Sequence, residues 1–232
     1  MVTTAIILAG GLGTRLKIVN PILPKPLAPI NGRPFLEYLF DYWISQGISK
    51  FILSIGYQSQ SIIDHFDQNY RSASIEYVVE NSPLGTGGGL LLSATGLSEP
   101  FLVLNGDTFF EVDLKDLSSF HDKNKSEWTI SLFRTDNSQR YMPIEISSDG
   151  IIIKIKETNK QTSYLSNGGV YLINPSVIKN LYKHANKKIS LEDVLLPESF
   201  STGVHLYGLE CFGDFIDIGI PEDYYRAKKI LS

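Results

Sequence analysis

The chain has 232 residues, of which 43% are hydrophobic and 20% charged, a globular composition with enough length for a substantial core. Its formal net charge is −4 and it contains no basic block, so we expect no nucleic-acid partner. Because no segment approaches the ~18 consecutive apolar residues of a membrane helix, we expect no membrane span either. The single cysteine, Cys211, and the lack of a signal-peptide pattern in the first residues favour a reducing, cytoplasmic setting.

The first half of the chain alternates apolar, β-branched runs with segments of helical periodicity, which is typical of a mainly parallel α/β sheet. Strands are predicted at residues 3–8, 51–55, 75–79 and 101–104. A helix is predicted at residues 34–46, where apolar side chains recur every three or four positions, and a second helix follows Ser59, whose hydroxyl can serve as its N-cap. Continuous apolar strands such as AIIL and FLVL indicate burial on both faces.

The second half contains further strands, predicted at residues 128–134, 144–147, 151–155, 168–173 and 215–218. Asp149-Gly150 predicts a hairpin turn, Ser190 the N-cap of a helix, and Pro221 the first residue of a C-terminal helix. Together these elements predict an α/β fold with a Rossmann-like, three-layer α/β/α architecture and a mainly parallel central mixed sheet. We expect a single domain over residues 1–232, with one lobe at about residues 1–110 and a second at about residues 111–232.

A glycine-rich loop, GGLGTRL, follows the first strand at residues 10–16. It is not a P-loop, because no lysine followed by serine or threonine closes it. It also fails the dinucleotide fingerprint, because bulky Leu16 stands where a small residue must let the helix approach the strand. Its glycines, Gly10, Gly11 and Gly13, can direct successive backbone N–H groups into one concavity, which predicts an anion-binding nest.

Three side chains beside this loop suit the same anion. Thr14 adds a hydroxyl, and Arg15 adds a planar fork that can bridge phosphate oxygens. Lys25 lies between two prolines, which stiffen the chain and present the ammonium from a fixed position. The alternative is a tight turn beside a surface arginine and lysine, but the nest, the fork and the lysine occur together, which favours a phosphate-bearing ligand.

Residues 10–16 and the later Pro-Lys-Pro match the motif G-G-x-G-T-R-L followed by P-K-P, and the chain resembles the sugar-1-phosphate nucleotidyltransferases over nearly its whole length. The resemblance implies the nucleotide-diphospho-sugar transferase type of fold, with a nucleotide-binding first lobe and a sugar-phosphate-binding second lobe. It also implies that the loop wraps a nucleoside triphosphate, that Arg15 neutralises the departing pyrophosphate and that Lys25 bridges phosphates at the reacting centre. In this reaction the phosphate of a sugar 1-phosphate attacks the α-phosphorus, so no protein nucleophile is required.

Two separated aspartates are candidate metal ligands. Asp107 follows the apolar strand FLVL, where a carboxylate reaches the ligand edge of a parallel sheet, and Asp217 lies in a later short strand. Two hard oxygen donors facing a triphosphate suit Mg²⁺. Taken separately, Asp107 could be a turn residue and Asp217 a paired core carboxylate. The resemblance favours metal binding, because N-G-D and the segment FIDIGIPEDY match the metal-binding segments of the family, and we expect Asp223 to stabilise a helix N-terminus instead.

Glu80 indicates which base is bound. The resemblance places the P-L-G-T loop, residues 83–86, against the base and Glu80 at the base edge. A carboxylate only accepts hydrogen bonds; guanine offers two adjacent donors, whereas uracil offers one N–H flanked by carbonyls. Glu80 therefore favours GTP, with a surface glutamate as the alternative role and a uridylyl- or thymidylyltransferase as the alternative enzyme. The full set of expected nucleotide-binding residues is Leu8, Gly10, Gly11, Gly13, Thr14, Glu80, Pro83, Gly85, Thr86, Asn105 and Gly106.

The sugar is assigned by resemblance alone. The positions that line the sugar-phosphate pocket in the family are here Tyr141, Glu157, Asn167, Gly168 and Gly169. Two departures are Met142, where glycine is usual, and Thr158, where lysine is usual and whose role Lys156 or Lys160 could take. Within the family the chain most resembles the D-glycero-α-D-manno-heptose 1-phosphate guanylyltransferases, with mannose 1-phosphate as the second candidate substrate. The product would be a GDP-sugar for bacterial surface glycans.

Two other classes of function are less favoured. A regulatory subunit that binds a nucleotide sugar without turnover would be expected to lack one of the four residues Arg15, Lys25, Asp107 and Asp217, and all four are present. A dehydrogenase is disfavoured by Leu16, and Glu37, about 20 residues further on, falls inside a predicted helix and not at a strand end. The sequence gives no indication of the oligomeric state.

Overall fold

The computed structural model describes residues 1–11, 13, 23–137, 140–155 and 163–231. Three of the predicted site residues, Thr14, Arg15 and Glu157, lie outside the described residues. In the part of the chain that is described, no helix is long and apolar enough to cross a bilayer.

The described strands are β1 (Thr4–Leu8), β2 (Pro29–Ile30), β3 (Arg33–Pro34), β4 (Lys50–Ile55), β5 (Asn69–Tyr70), β6 (Ala73–Val79), β7 (Phe101–Asn105), β8 (Thr108–Phe110), β9 (Trp128–Thr135), β10 (Pro143–Ile146), β11 (Ile152–Ile155), β12 (Tyr164–Ile173), β13 (Leu206–Glu210) and β14 (Phe215–Asp217). The described α-helices are α1 (Phe35–Ser45), α2 (Ser59–Phe66), α3 (Gly85–Ser93), α4 (Leu114–Lys123), α5 (Pro175–Leu181), α6 (Leu196–Ser201) and α7 (Pro221–Ile230). Two 3₁₀ turns lie at Lys25–Leu27 and Tyr182–His184, and a π-helical turn at Leu191–Leu195 precedes α6.

One ten-stranded sheet contains strands from both halves of the chain. Its central strands β7, β1, β4 and β6 are parallel neighbours, and β12 joins β7 antiparallel. On the far side of β12, β9 pairs antiparallel with it and parallel with β13, while β10 and β11 extend the sheet from the start of β12. Because parallel strands share a direction, the carboxyl ends of β7, β1, β4 and β6 meet at one edge.

Apolar residues on both faces of the sheet produce a core on each side of it. In β1, Ala5 and Ile7 belong to one core and Ile6 to the other, as expected for a strand covered on both faces. Helix α1 packs Phe35, Leu36, Leu39, Phe40 and Trp43 into the first core, and α3 and α5 contribute to the second. The predicted three-layer α/β/α architecture is therefore confirmed.

Of the predicted turns and helix ends, three are confirmed and one is wrong. The predicted Asp149-Gly150 turn joins β10 to β11, Ser190 Oγ accepts a hydrogen bond from the Asp193 N–H as an N-cap, and α7 begins at Pro221. The prediction that Ser59 caps α2 is wrong: the N-cap is Gln58, which adopts a left-handed conformation with φ of 53°, and Ser59 is already helical. The helix therefore begins one residue earlier than its sequence signal.

Candidate active site

A cavity of about 460 Å³ opens at the carboxyl ends of the central parallel strands, where open α/β sheets bind ligands. It is lined by Leu8, Ala9, Gly10, Gly11, Gly13, Lys25, Pro26, Ser54, Glu80, Pro83, Gly85, Thr86, Asn105, Gly106, Asp107, Lys188 and Glu192. Every predicted nucleotide-binding residue among the described residues is in this set, together with Lys25 and Asp107. These predicted residues thus come from four separate parts of the chain and border one cavity.

Glycines shape the side of the cavity next to Lys25 by letting backbone segments approach closely. Gly13 has a left-handed φ of 58°, and a Cβ there would lie 3.2 Å from the Cβ of Lys25. A Cβ on Gly106 would lie 2.7 Å from the carbonyl oxygen of Leu8. Gly13 therefore allows the loop after β1 to approach Lys25, and Gly106 allows the close approach of the chain after β7 to the end of β1.

The Glu80 carboxylate is fixed at the end of β6. Its Oε2 accepts a hydrogen bond from the Leu84 N–H at 2.8 Å, and its Oε1 accepts one from Ser54 Oγ at 3.3 Å. A Cβ on Gly10 or Gly89 would lie 2.8 Å from Glu80 Oε1, so either substitution would displace the carboxylate. A carboxylate has about four acceptor sites, so these two donors do not exhaust it. The Glu80 carboxylate is therefore fixed on the wall of the cavity and can accept further hydrogen bonds there.

Helix α3 begins with the unusual sequence GTGGG, which packs directly against the segment before the π-helical turn. The Gly87 N–H donates to the Ile189 carbonyl at 3.0 Å, and the Ile189 N–H donates to the Leu84 carbonyl at 2.9 Å. A Cβ on Gly88 would lie 2.5 Å from the Lys187 carbonyl oxygen. This backbone contact brings the segment that carries Lys188 and Glu192 to the cavity.

Glu192 joins three elements of the site, and sequence reasoning missed it. Its carboxylate accepts hydrogen bonds from Thr86 Oγ1 at 3.0 Å, Tyr171 Oη at 3.3 Å and Asn105 Nδ2 at 3.4 Å. Burial raises the pKa of Tyr171 well above its usual value, so the hydroxyl stays protonated and can donate. The only sequence signal was the N-cap at Ser190, which placed Glu192 in a first helical turn but gave no partner for it.

Lys25 and Asp107 form an ion pair at the cavity. Lys25 starts the 3₁₀ turn after Pro24, with a side chain only 12% exposed. Enclosure alone would raise the pKa of Asp107, but the ammonium of Lys25 outweighs this and lowers it below its usual value. Asp107 is therefore an ionised carboxylate, and Lys25 is its counter-ion.

Asp217 lies beside this pair because β14 and β8 are antiparallel neighbours, with Asp217 opposite Thr108. The Ile218 N–H donates to the Asp107 carbonyl at 2.9 Å, and the Gly219 N–H donates to Asp217 Oδ1 at 2.6 Å. A Cβ on Gly219 would lie 2.7 Å from Asp217 Oδ1 and 3.3 Å from Lys25 Nζ. The Lys25 ammonium is thus close to both predicted metal-binding carboxylates, and Gly219 leaves room for that approach.

The two carboxylates fit Mg²⁺ as a donor set. Among the described residues no cluster of three or more histidine, cysteine, aspartate or glutamate side chains could hold a metal ion on its own. Mg²⁺ commonly binds through one or two carboxylates and completes its shell with phosphate oxygens and water. Asp107 and Asp217 therefore suit a metal that completes its shell with phosphate oxygens and water.

The predicted sugar-phosphate residues divide into two groups, and none of the described members lines the cavity itself. Asn167 accepts from the Gly169 N–H at 2.9 Å and donates to Tyr171 Oη at 2.7 Å, and a Cβ on Gly169 would lie 3.0 Å from Asn105 Nδ2. This group is next to the site. A Cβ on Gly168 would collide with the Phe110 ring, which accounts for glycine there by packing.

Tyr141 belongs to an aromatic cluster. Its ring packs edge-on against Phe133 and Phe215, and burial raises the pKa of its hydroxyl to about 12. The preceding residue, Arg140, donates to Asp217 Oδ2 at 2.9 Å and also pairs with Asp223, which lies in the first turn of α7 as predicted. The ion pairs of Arg140 were not foreseen, because they join residues more than 70 positions apart.

Known proteins share this architecture and sequence. The nucleotidyl transferase family matches residues 4–232. A D-glycero-alpha-D-manno-heptose 1-phosphate guanylyltransferase of Campylobacter jejuni subsp. jejuni is 38% identical, over 96% of this chain and 97% of that protein. A relative with the same description from Aneurinibacillus thermoaerophilus is 40% identical over 98% of both chains.

Solved structures also resemble this chain in fold and sequence. The crystal structure of HddC from Yersinia pseudotuberculosis has a TM-score of 0.85 and 34% identity, and covers 99% of this chain and 100% of that chain. The same protein complexed with GMP-PN has a TM-score of 0.83 and 35% identity with the same coverage. With a family match across residues 4–232 and this likeness in fold, the chain belongs to the nucleotidyl transferase family, as its glycine-rich loop and P-K-P segment indicated.

Proposed function

We propose that the protein transfers the guanylyl group of GTP to D-glycero-α-D-manno-heptose 1-phosphate, giving the GDP-sugar and pyrophosphate. The observation that carries this proposal is the Glu80 carboxylate, which Leu84 and Ser54 hold on the wall of a cavity that also contains Lys25 and Asp107. Two relatives near 40% identity carry this activity in their descriptions, and the HddC structure with GMP-PN supports a guanine nucleotide.

Glu80 is suited to guanine by its hydrogen-bonding capacity. The carboxylate can accept from the N1–H and the N2 amino group of guanine, whereas uracil or thymine would place a carbonyl against it. Ser54 and the Leu84 N–H keep it from turning away. Pro83, Gly85 and Thr86 would lie against the base, as the sequence motif predicts.

The phosphate side of the cavity would hold the triphosphate. Gly10, Gly11 and Gly13 would supply backbone donors, and Lys25 would move from Asp107 to the phosphate oxygens, with Thr14 and Arg15 proposed as further donors. Asp107 and Asp217 would hold Mg²⁺, which when bound would neutralise charge on the triphosphate and help to orient it.

The chain then acts by positioning and by charge neutralisation. The acceptor phosphate attacks the α-phosphorus and pyrophosphate leaves in line, while Lys25 and Arg15 stabilise the charge that develops. All but two of the residues that line the cavity come from the first 107, the exceptions being Lys188 and Glu192. This supports a nucleotide-binding lobe at about residues 1–110, with the acceptor held by residues of about 111–232, including Tyr141, Glu157, Asn167, Gly168 and Gly169. We place the reaction in the cytoplasm, in keeping with the single cysteine.

Pyrophosphate release tests the proposal directly. GTP, UTP and dTTP are each paired with heptose 1-phosphate, mannose 1-phosphate and glucose 1-phosphate in the presence of Mg²⁺. We expect the highest kcat/KM for GTP with the heptose. Turnover with UTP or dTTP in preference to GTP would refute the role of Glu80, and a preference for mannose 1-phosphate would refute the acceptor. No turnover with any pair would refute catalysis.

A further inference from the structure

Charged side chains of alternating sign form a row that leads from the cavity to helix α7. In order, the row contains Asp107, Lys25, Asp217, Arg140 and Asp223. Arg140 Nη2 donates to Asp217 Oδ2 at 2.9 Å and to the Asp217 carbonyl at 3.1 Å, and Nη1 pairs with Asp223. Among the described residues, Arg140 is thus linked to the cavity through the Asp217 carboxylate and Lys25.

Arg140 reaches these carboxylates from a different element than the one that carries them. It lies between β9 and β10, where its backbone N–H and that of Tyr141 donate to the Asn137 carbonyl at 3.2 Å. Its guanidinium lies 5.0 Å from the centre of the Tyr141 ring, and its side chain is 19% exposed. Tyr164 Oη donates to the Tyr141 carbonyl at 3.2 Å, which fixes the end of this segment against β12. The mostly enclosed side chain of Arg140 is therefore held at the edge of the site by its ion pairs with Asp217 and Asp223.

The two carboxylates that pair with Arg140, Asp217 and Asp223, differ in their position along the row from the cavity and in their roles. Asp223 is 8% exposed and also pairs with Arg226 at 3.2 Å, so it is a structural anchor for α7. Asp217, in contrast, is the carboxylate that a metal would take together with Asp107. A guanidinium on Asp217 Oδ2 competes with any cation that binds the same oxygen, and a metal bound there would free the Nη2 N–H that now donates to Oδ2.

We propose that Arg140 binds the phosphate of the acceptor, and that Asp217 and Asp223 hold it ready for this role. This inference rests on the proposed function, because it assumes that a sugar 1-phosphate approaches the triphosphate beside Lys25. With metal and nucleotide bound at Asp217, the freed Nη2 N–H would donate to the acceptor phosphate, while the ion pair with Asp223 would keep Nη1 in place. A guanidinium N–H makes a charge-assisted hydrogen bond to a phosphate oxygen, and the permanent charge of arginine suits a dianionic ligand.

The test compares Arg140→Gln and Arg140→Lys with Arg226→Gln, a matched control that removes an arginine from the exposed side of the same Asp223. At saturating GTP, we expect Arg140→Gln to raise the KM for the acceptor about 10- to 100-fold, the scale for a lost hydrogen bond to a charged group. The dissociation constant of GTP should stay within about twofold of wild type. Arg140→Lys should recover part of the acceptor affinity, and Arg226→Gln should keep both constants near wild type.

A second measurement does not require turnover. Without nucleotide, Mn²⁺ binding followed by electron paramagnetic resonance should be tighter in Arg140→Gln than in wild type, because Asp217 is no longer occupied by the guanidinium. If Arg140→Gln lowers the melting temperature but leaves both acceptor KM and Mn²⁺ affinity unchanged, Arg140 is only structural and the inference is overturned. An equal rise in the GTP and acceptor constants would also overturn it. Failure of wild type to turn over any acceptor would refute the proposed function, with Mn²⁺ affinity still deciding whether Arg140 holds Asp217.

Discussion

The ammonium of Lys25 pairs with the carboxylate of Asp107 across 82 residues of sequence. The two come together because the 3₁₀ turn after Pro24 and the end of β7 border the same cavity. The pair keeps a cation and a carboxylate that we propose as a metal ligand in place in the ligand-free protein. A triphosphate and its metal would divide the pair, with Lys25 turning to phosphate and Asp107 to the metal.

Replacing Lys25 by methionine should lower kcat by about 10²- to 10³-fold, the usual effect of removing one group that stabilises charge in a transition state. Binding of GTP should weaken less, because that charge develops mainly during transfer. Pyrophosphate release gives kcat, and equilibrium titration gives the GTP dissociation constant. Lys188→Met is the matched control, since Lys188 also lines the cavity but is exposed at its rim, and we expect its kcat within about tenfold of wild type. A Lys25→Met enzyme with normal kcat would exclude lysine from the chemistry.

Replacing Glu80 by glutamine should relax the choice of base. The amide would offer N–H donors where guanine also has donors, so kcat/KM for GTP should fall about 10- to 100-fold, and UTP and dTTP should become relatively better substrates. Glu76→Gln changes an exposed glutamate of the same strand, paired with Lys50, and should leave the ratio of GTP to UTP turnover unchanged. An unchanged ratio in Glu80→Gln as well would place base recognition elsewhere.

The sequence predicts the features of this site that depend on local patterns. Apolar runs that alternate with helical segments predict β1, β4, β6 and β7. Because these strands are parallel, Leu8, Glu80 and Asn105, which lie at or just after their carboxyl ends, come to one edge of the sheet. The glycine nest and the fixed lysine follow directly from the loop sequence. The strand that carries Asp217 was predicted, but its place beside Lys25 depends on pairing with the short β8, which was not predicted, so the metal-binding role of Asp217 rested on the family motif.

Features that depend on tertiary packing could not be predicted in this way. The segment GTGGG has a poor helix propensity, yet it forms the start of α3 because the 187–191 segment packs against its bare backbone. Glu192 enters the cavity through that contact, and Arg140 meets Asp217 only after β9, β12 and β14 are assembled. Both residues look like ordinary surface charges in the sequence.

The packing of α3 leads to a stability prediction. In Gly88→Ala the new Cβ would lie 2.5 Å from the Lys187 carbonyl oxygen and 2.7 Å from the Leu84 Cβ. Overpacking of this kind typically costs about 1–3 kcal/mol, which exceeds the gain of up to about 1 kcal/mol from replacing a helical glycine by alanine. Urea unfolding of the ligand-free protein should show this loss. Gly11→Ala, whose Cβ would have no heavy atom within 4 Å, should change the free energy of unfolding by less than about 0.5 kcal/mol. Equal stabilities for the two variants would refute the packing account.

His121 lies in a buried network away from the active site and is 3% exposed. Its Nδ1 lies 2.8 Å from Thr129 Oγ1, and its Nε2 lies 3.3 Å from Asn174 Oδ1. Asn174 Nδ2 donates to the Ser126 carbonyl at 2.9 Å, which identifies Asn174 Oδ1 as an acceptor and His121 Nε2 as the protonated nitrogen. Burial lowers the pKa of His121 below its usual 6.5, although the Asn174 contact acts in the opposite direction.

This depressed pKa makes stability depend on pH in a defined direction. Below about pH 6.5 the unfolded chain binds a proton at His121 that the folded chain does not, so the free energy of unfolding should fall as pH decreases, by at most about 1.4 kcal/mol per pH unit from this group. Above that pH the contribution is constant. His121→Gln removes the titrating ring, so urea midpoints measured from pH 8 to pH 5 should decline less steeply for the variant than for wild type. Parallel curves for the two proteins would mean that His121 takes up its proton equally in both states, against the burial that the structure shows.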